Sequence, residues 1–306
     1  MAELPPYDQL LVQARAAAAE VRTVDAPAKP LPDLRWRNTA LIGGTALAIG
    51  AYGMGAWWSD GFTSTFRSRN ELWFGADTEF AGMDKLGHMY FSHLMTRSLV
   101  PAFEAAGNAP ETSRQLAAWT IWGVGTMVEV LDGFSKRYSF SYEDVVFNTF
   151  GVGMGYLLSR HPEWDDVFDL RLEYAPSELS DWNPPGDYAG QRYYLVTKAD
   201  GFKALRDVPV VKYLEFGVGY GAPGYDVPDE WDLHPWARKR REVFVSVGVN
   251  LARVMADLFY GGKKSTTTTQ KAFEWSFEYF QPPTHWYRGK QVGRSPPPRS
   301  IGTPPE

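Results

Sequence analysis

The chain has 306 residues, enough for one large or two ordinary domains, and its 31 basic and 36 acidic residues leave a formal charge of −5. A net-acidic chain is poorly suited to neutralising phosphates, so nucleic acid is not an expected partner. With no cysteine at all, disulfides, thiolate metal sites, a cysteine nucleophile and a lipid-modified cysteine are excluded for these residues.

Residues 1–38 read as an N-terminal extension, with an Ala-rich helical stretch (Leu10 to Val21) and a linker marked by Pro27, Pro30 and Pro32. Thr39 to Trp58 then runs 20 residues without a charge, preceded by Arg35 and Arg37 and closed by Trp57 and Trp58. That length spans a hydrocarbon core, with a basic start and an aromatic belt at its end. A Gly-rich core helix and a cleaved signal segment are the competing readings. The second needs an unusually long leader, about 36 residues, ahead of the apolar run. The mean hydropathy of the whole chain is negative, so only part of it meets a bilayer.

Three more helices are predicted, at about Met83 to Ala106, Ser113 to Asp132 and Ser141 to Arg160. The uncharged cores of the last two are roughly 14–15 residues long, which favours buried helices over independent spans. Short links make successive helices antiparallel, so residues 39–160 are expected to form a helical bundle with a membrane anchor. Gly50, Gly53 and Gly55, like Gly151, Gly153 and Gly155, permit close helix approach.

Beyond Arg160 the pattern alternates. Phe168 to Tyr174, Gln191 to Thr197, Lys212 to Tyr220 and Glu242 to Val249 read as strands of a small antiparallel sheet. Phe168 to Tyr174 should be half-buried, with its charged residues outward. A short amphipathic helix from Asn250 to Phe259 follows. Thr266 to Thr269 is placed in a linker, Phe273 to Phe280 as one more strand, and 289–306 as a disordered Pro-rich tail. The fold class is therefore α+β: an apolar N-terminal helix and a three-helix antiparallel bundle, then a small β region over 161–288.

The chemistry concentrates at helix ends. Asp84 and His88 share a helix face, and Lys85 in the same first turn opposes the helix dipole, which implies an acidic partner elsewhere. Glu129 and Asp132 lie at the unfavourable C-terminal end of the next helix. There Gly133 should supply a left-handed stop, and Glu129 should pair with Lys85 or Arg137 or belong to a site. Ser141 and Asp144 resemble a capping box, with Asn148 one turn further on the same face. Antiparallel packing brings the start of the first helix, the end of the second and the start of the third to one end of the bundle. Asp84, His88 and Glu129 are then candidates for acid/base work or for a divalent metal, within a polar cluster completed by Lys85, Asp132, Ser141, Asp144 and Asn148. Each also has an ordinary explanation in capping or pairing. Gly219-x-Gly221-x-x-Gly224 is not a dinucleotide cradle, because Pro223 and the Pro/Asp-rich stretch after it deny the motif a following helix. The basic run Arg238 to Arg241 reads as a solvated turn, with anionic headgroups as the alternative.

The order D-K-x-x-H (Asp84, Lys85, His88), E-x-x-D (Glu129, Asp132) and S-x-x-D-x-x-x-N-x-x-G (Ser141, Asp144, Asn148, Gly151) resembles the YfiM-like family of predicted periplasmic proteins, a domain of unknown function. It is more remotely similar to VanZ-like membrane proteins. The resemblance covers about Trp73 to Arg160, and it implies a helical core and a bacterial cell-envelope location, membrane-anchored and periplasm-facing. It implies no activity. Lipid-anchored relatives use an N-terminal cysteine, so Thr39 to Trp58 would have to anchor or export this chain. Two functions follow: a non-catalytic envelope protein contacting the membrane, an envelope partner or a second copy of itself, or a metal- or acid/base-dependent hydrolase or transferase acting on a lipid or cell-wall substrate.

Overall fold

The computed structural model describes residues 33–177, 184–225, 238–282 and 284–293. The Ala-rich stretch, its Pro-rich linker and the tail beyond residue 293 lie outside them. Four long helices come first: α1 Arg35–Ala56, α2 Met83–Ala105, α3 Pro110–Phe134 and α4 Tyr142–Arg160. Pro110 opens α3 behind an extended Ala109, the position where a missing N–H costs nothing. Ser141 caps α4 by accepting the Asp144 N–H. α2, α3 and α4 pack as the predicted antiparallel bundle, α2 and α4 most closely. Gly151 lies against the Met89 carbonyl and Gly155 against that of His93.

α1 lies alongside α3. The Asn38 and Asn108 amides pair at one end, and Trp58 donates to Asp132 at the other. Within α1 only Gly53 is buried, packed against the Trp58 ring, whereas Gly50 and Gly55 face open space. Gly53 makes room for the Trp57 and Trp58 rings just past the helix, so the close helix approach expected through the α1 glycines is not seen. At 1.5 Å per residue its 22 residues extend about 33 Å, and it is the helix among the described residues long and apolar enough to cross a bilayer.

A short turn, α5 Pro162–Asp165, leads into an antiparallel meander of five strands in chain order: β1 Phe168–Tyr174, β2 Gln191–Lys198, β3 Leu214–Gly221, β4 Glu242–Val249 and β5 Trp286–Gln291. Between β4 and β5 lie α6 Leu251–Phe259, capped by Asn250, and α7 Thr268–Tyr279, capped by Thr267. Four expectations are corrected here. Phe273 to Phe280 is not a strand, because Phe273, Trp275, Phe277 and Tyr279 alternate but also stack at i,i+4 (Phe273 with Phe277, Trp275 with Tyr279), and the Thr267 cap selects the helix. The threonine run is thus a helix start rather than a linker. The fifth strand ends at Gln291, so the tail cannot begin at 289. β1, finally, buries its charged residues, with Asp169 and Arg171 at 1% and 2% exposure.

Bundle and sheet share one core. Leu170, Leu172 and Tyr193 of the sheet meet Met83 and Tyr90 of α2, with Tyr279 of α7 closing the group. Tyr90 Oη donates to the Tyr279 carbonyl at 2.8 Å and Tyr220 Oη to that of Ala81 at 2.7 Å.

Candidate functional site

The three helix ends converge as their order in the sequence implies. α2 starts abruptly, behind Ala81 and Gly82 in left-handed conformation (φ 53° and 83°). Gly82 is obligatory there, since a Cβ would strike the Phe74 ring. The first turn thus delivers Asp84 and Lys85, and the second His88, against the end of α3 and the start of α4.

Lys85 is the buried counter-ion of the group. Its Nζ lies 2.9 Å from Asp84 Oδ2, 3.2 Å from Glu71 Oε2 and 3.6 Å from Asp144 Oδ1. Burial alone would lower its pKa, but Asp84, Asp144 and Glu71 together raise it. This is the acidic partner its dipole-opposed position requires. His88 stands on the other side of Asp144, with Nδ1 3.6 Å from Glu129 Oε1 and Nε2 3.9 Å from Asp144 Oδ2. Burial works against its charge, yet Asp144, Glu129, Asp84 and Asp132 lift it to about 9. Its side chain retains 28% exposure, so with Glu71 at 25% it is among the members open to solvent.

The carboxyls outnumber these two cations. Burial and its acidic neighbours push Glu129 up to about 8 against the pull of His88. Glu71 is raised to about 7 by burial and Asp144. Asp132 reaches about 6, burial outweighing the Trp58 Nε1 donor 2.6 Å away. Glu129 Oε1 and Asp144 Oδ1 are buried without a hydrogen-bond donor among the described residues, although Lys85 Nζ stands 3.6 Å from the latter; a buried carboxylate oxygen so placed is costly. Asn148 accepts from Ser92 Oγ at 2.7 Å, while its Nδ2, packed over Gly125, has no acceptor.

Donor atoms of His88, Glu129 and Asp144 lie within 4.8 Å of one another, and so do those of Glu71, Asp84 and Asp144. Asp144 is the hinge of both sets. A cavity of about 20 Å³, the room of roughly one water or ion, opens beside Glu71, Asp84 and Lys85.

Several placements differ from expectation. Asp84 is drawn to Lys85 and Glu71 rather than to the His88–Glu129 pair, where Asp144 takes its place. Glu129 pairs with neither Lys85 nor Arg137; the Arg137 guanidinium lies over Tyr138. Gly133 is not a left-handed stop, for α3 continues to Phe134 and ends on an extended Ser135. Gly133 instead lets the Phe66 ring approach the helix. Glu71, Glu143 and Trp58 were not foreseen. Glu71 comes from the loop between α1 and α2, and Glu143 accepts the Leu72 N–H at 3.1 Å, fixing that loop on α4. The only hint in the sequence is an acidic residue set before Trp73 and Phe74.

Residues 70–160, the segment that builds this cluster, match the family model DUF2279, described as a predicted periplasmic lipoprotein and a domain of unknown function. The matched segment covers α2, α3 and α4 and the loop ahead of them. The family resemblance read from the motifs is thereby shown, and the description agrees with an envelope location. The VanZ-like likeness rests on motif order alone. No curated protein and no solved structure matches the chain.

Proposed function

We propose that this chain is a membrane-anchored envelope protein, facing the periplasm, whose DUF2279 bundle is stapled by a divalent cation between His88, Glu129 and Asp144. The role is structural, and the sheet supplies the contact surface. The observation that carries this reading is Glu129 Oε1, a buried carboxylate oxygen at the negative end of α3 with no donor and the His88 ring 3.6 Å away. One imidazole and two carboxylates suit a first-row divalent ion. A cation there would satisfy the unpartnered Glu129 oxygen and tie α2, α3 and α4 together at one point. Because His88 must lose its proton to ligate, binding releases a proton and weakens on acidification. α1 serves as the anchor.

The test is thermal denaturation of the full chain with and without Zn²⁺ or Mn²⁺, beside elemental analysis of protein purified without chelator. A metal at 100 times its Kd stabilises by about 2.7 kcal/mol, so Tm should rise in the natural chain and stay put in Glu129→Gln. No shift with any divalent ion, or an equal shift in the variant, removes the proposal.

The partial opening of His88 beside a carboxyl raised to about 8 favours a second reading. There His88 and Glu129 act as an acid/base pair, assisted by Asp84 and Lys85, in an envelope hydrolase or transferase. His88→Ala decides between them: loss of the cellular role at unchanged folding and abundance selects catalysis, whereas a lowered Tm that divalent ions no longer raise selects the structural role.

A further inference from the structure

The sheet face that packs on α2 through Leu170, Leu172 and Tyr193 runs on past the bundle without a covering element among the described residues. On one face, cross-strand rows Leu195–Val218–Val245 and Phe216–Val247–Trp286 are 40% to 67% exposed. On the other, Asp169, Arg171, Glu215 and Ser246 are at most 3% exposed. Arg171 donates to Glu215 at 2.8 Å and to Asp169 at 3.1 Å, and His285 also pairs with Glu215. An antiparallel sheet in water turns its apolar side to the core and its polar side outward. Here the apolar face meets the core only through β1, Tyr193 and Tyr220 and lies exposed over β3 to β5, while the opposite face buries its ionic groups together with Tyr194, Val196 and Phe244. Glycine lets the sheet close around that second face: Gly219 and Gly289 give way to the Tyr194 and Phe244 rings, which a Cβ would approach to 2.6 and 2.7 Å.

We infer that this outward face of β2 to β5 docks on an anionic lipid surface. Ionic groups inward and aliphatic groups outward is the polarity of a β-wall against hydrocarbon. Between Thr197 and Arg288 at their ends, the two rows offer only the Trp286 indole N–H for the hydrogen bonds that protein interfaces carry. Past Trp286 the same face of β5 presents Arg288 and Lys290, both exposed, a cationic margin suited to phosphate headgroups. The strands have six to eight residues, below the roughly 9–11 that cross a bilayer, and among the described residues β5 pairs on one side only, leaving an edge that hydrocarbon does not tolerate. The sheet therefore lies on the membrane surface rather than through it. α1, the bilayer-length helix of the same chain, places a membrane within reach.

The absence of cysteine makes a direct test clean. Val218→Cys, Val245→Cys and, as a solvent control, Glu163→Cys are labelled with an environment-sensitive fluorophore in the full chain. Each is reconstituted into phosphatidylcholine/phosphatidylglycerol vesicles with or without nitroxide-bearing lipid. The expected result is a blue shift and nitroxide quenching at 218 and 245, with neither at 163. Unquenched labels at 218 and 245 while α1 is inserted overturn the inference. Energy transfer between labelled copies at 245, without lipid quenching, overturns it in favour of a second copy as the occupant. Reversing the margin (Arg288→Glu with Lys290→Glu) should reduce quenching in the anionic vesicles. Undiminished quenching there overturns the assignment to anionic lipid.

Discussion

Two histidines five residues apart on α2 show how completely surroundings decide a side chain's charge. His88 is surrounded by carboxyls and lifted to about 9. His93, 1% exposed, with Nδ1 unpartnered and Arg97 one turn away, is pushed down to about 3, by burial first and the guanidinium second. A histidine whose folded pKa lies below its ordinary 6.5 stabilises the fold only while neutral. The unfolded chain takes up its proton first, so stability is lost as pH falls from 6.5 toward 3, with a slope of up to about 1.4 kcal/mol per pH unit. His93→Leu should flatten the acid limb of stability measured by urea titration from neutral pH downward. An unchanged slope would contradict the assignment. The sequence singled out His88 through its D-K-x-x-H setting and passed over His93, because nothing local distinguishes a histidine that a sheet and a second helix will bury.

Among the elements, the pairing of α2 with α4 depends on where glycines fall on a helix face. A Cβ at Gly151 would run into the Met89 carbonyl and come within 2.9 Å of Ser92 Cβ, whereas at Gly153 it would meet nothing within 4 Å. The same substitution should have opposite signs. Gly151→Ala forces α2 and α4 apart and costs about 1–3 kcal/mol. Gly153→Ala gains about 0.8–1 kcal/mol of helix propensity. Chemical denaturation of the two variants checks both. The Gly-x-Gly-x-Gly spacing announced close packing but not which glycine makes it, since that depends on the facing helix. The α7 misreading has the same origin: aromatics at alternate positions satisfy a period of two and i,i+4 stacking alike. A threonine cap, together with Phe280 bridging to Leu172 beyond the helix end, settles the choice.

For the whole molecule, the bundle and the sheet are held as one body by a shared core and by charge. Arg97 of α2 reaches Asp165 in α5 at 2.8 Å and also pairs with Glu278 of α7. Both carboxylates are largely withdrawn from solvent, so removing their partner leaves them stranded. Arg97→Met is expected to cost about 3–5 kcal/mol, lowering Tm while the helical signal in circular dichroism and the tryptophan fluorescence still change in one common transition. Two separated transitions in the natural chain would show that bundle and sheet are independent. At this scale the gathering of helix ends was legible from short links and charge placement alone. The contribution of Glu71 was not, because a loop of irregular conformation has no periodicity from which to infer its destination.

The sequence by itself determined the elements: four helices, the first four strands, the cap at Ser141, and the clustering of Asp84, Lys85, His88, Glu129 and Asp144 at one end of a bundle. Local propensity, capping and link length act over a few residues, so they can be read along the chain. Only the tertiary structure decided which carboxylate faces which cation, that Asp144 rather than Asp84 completes the set around His88, and that the sheet hides its charges and exposes its valines. Those outcomes depend on distances between segments far apart in sequence, where burial and the fields of neighbouring groups outweigh any preference of the residue itself.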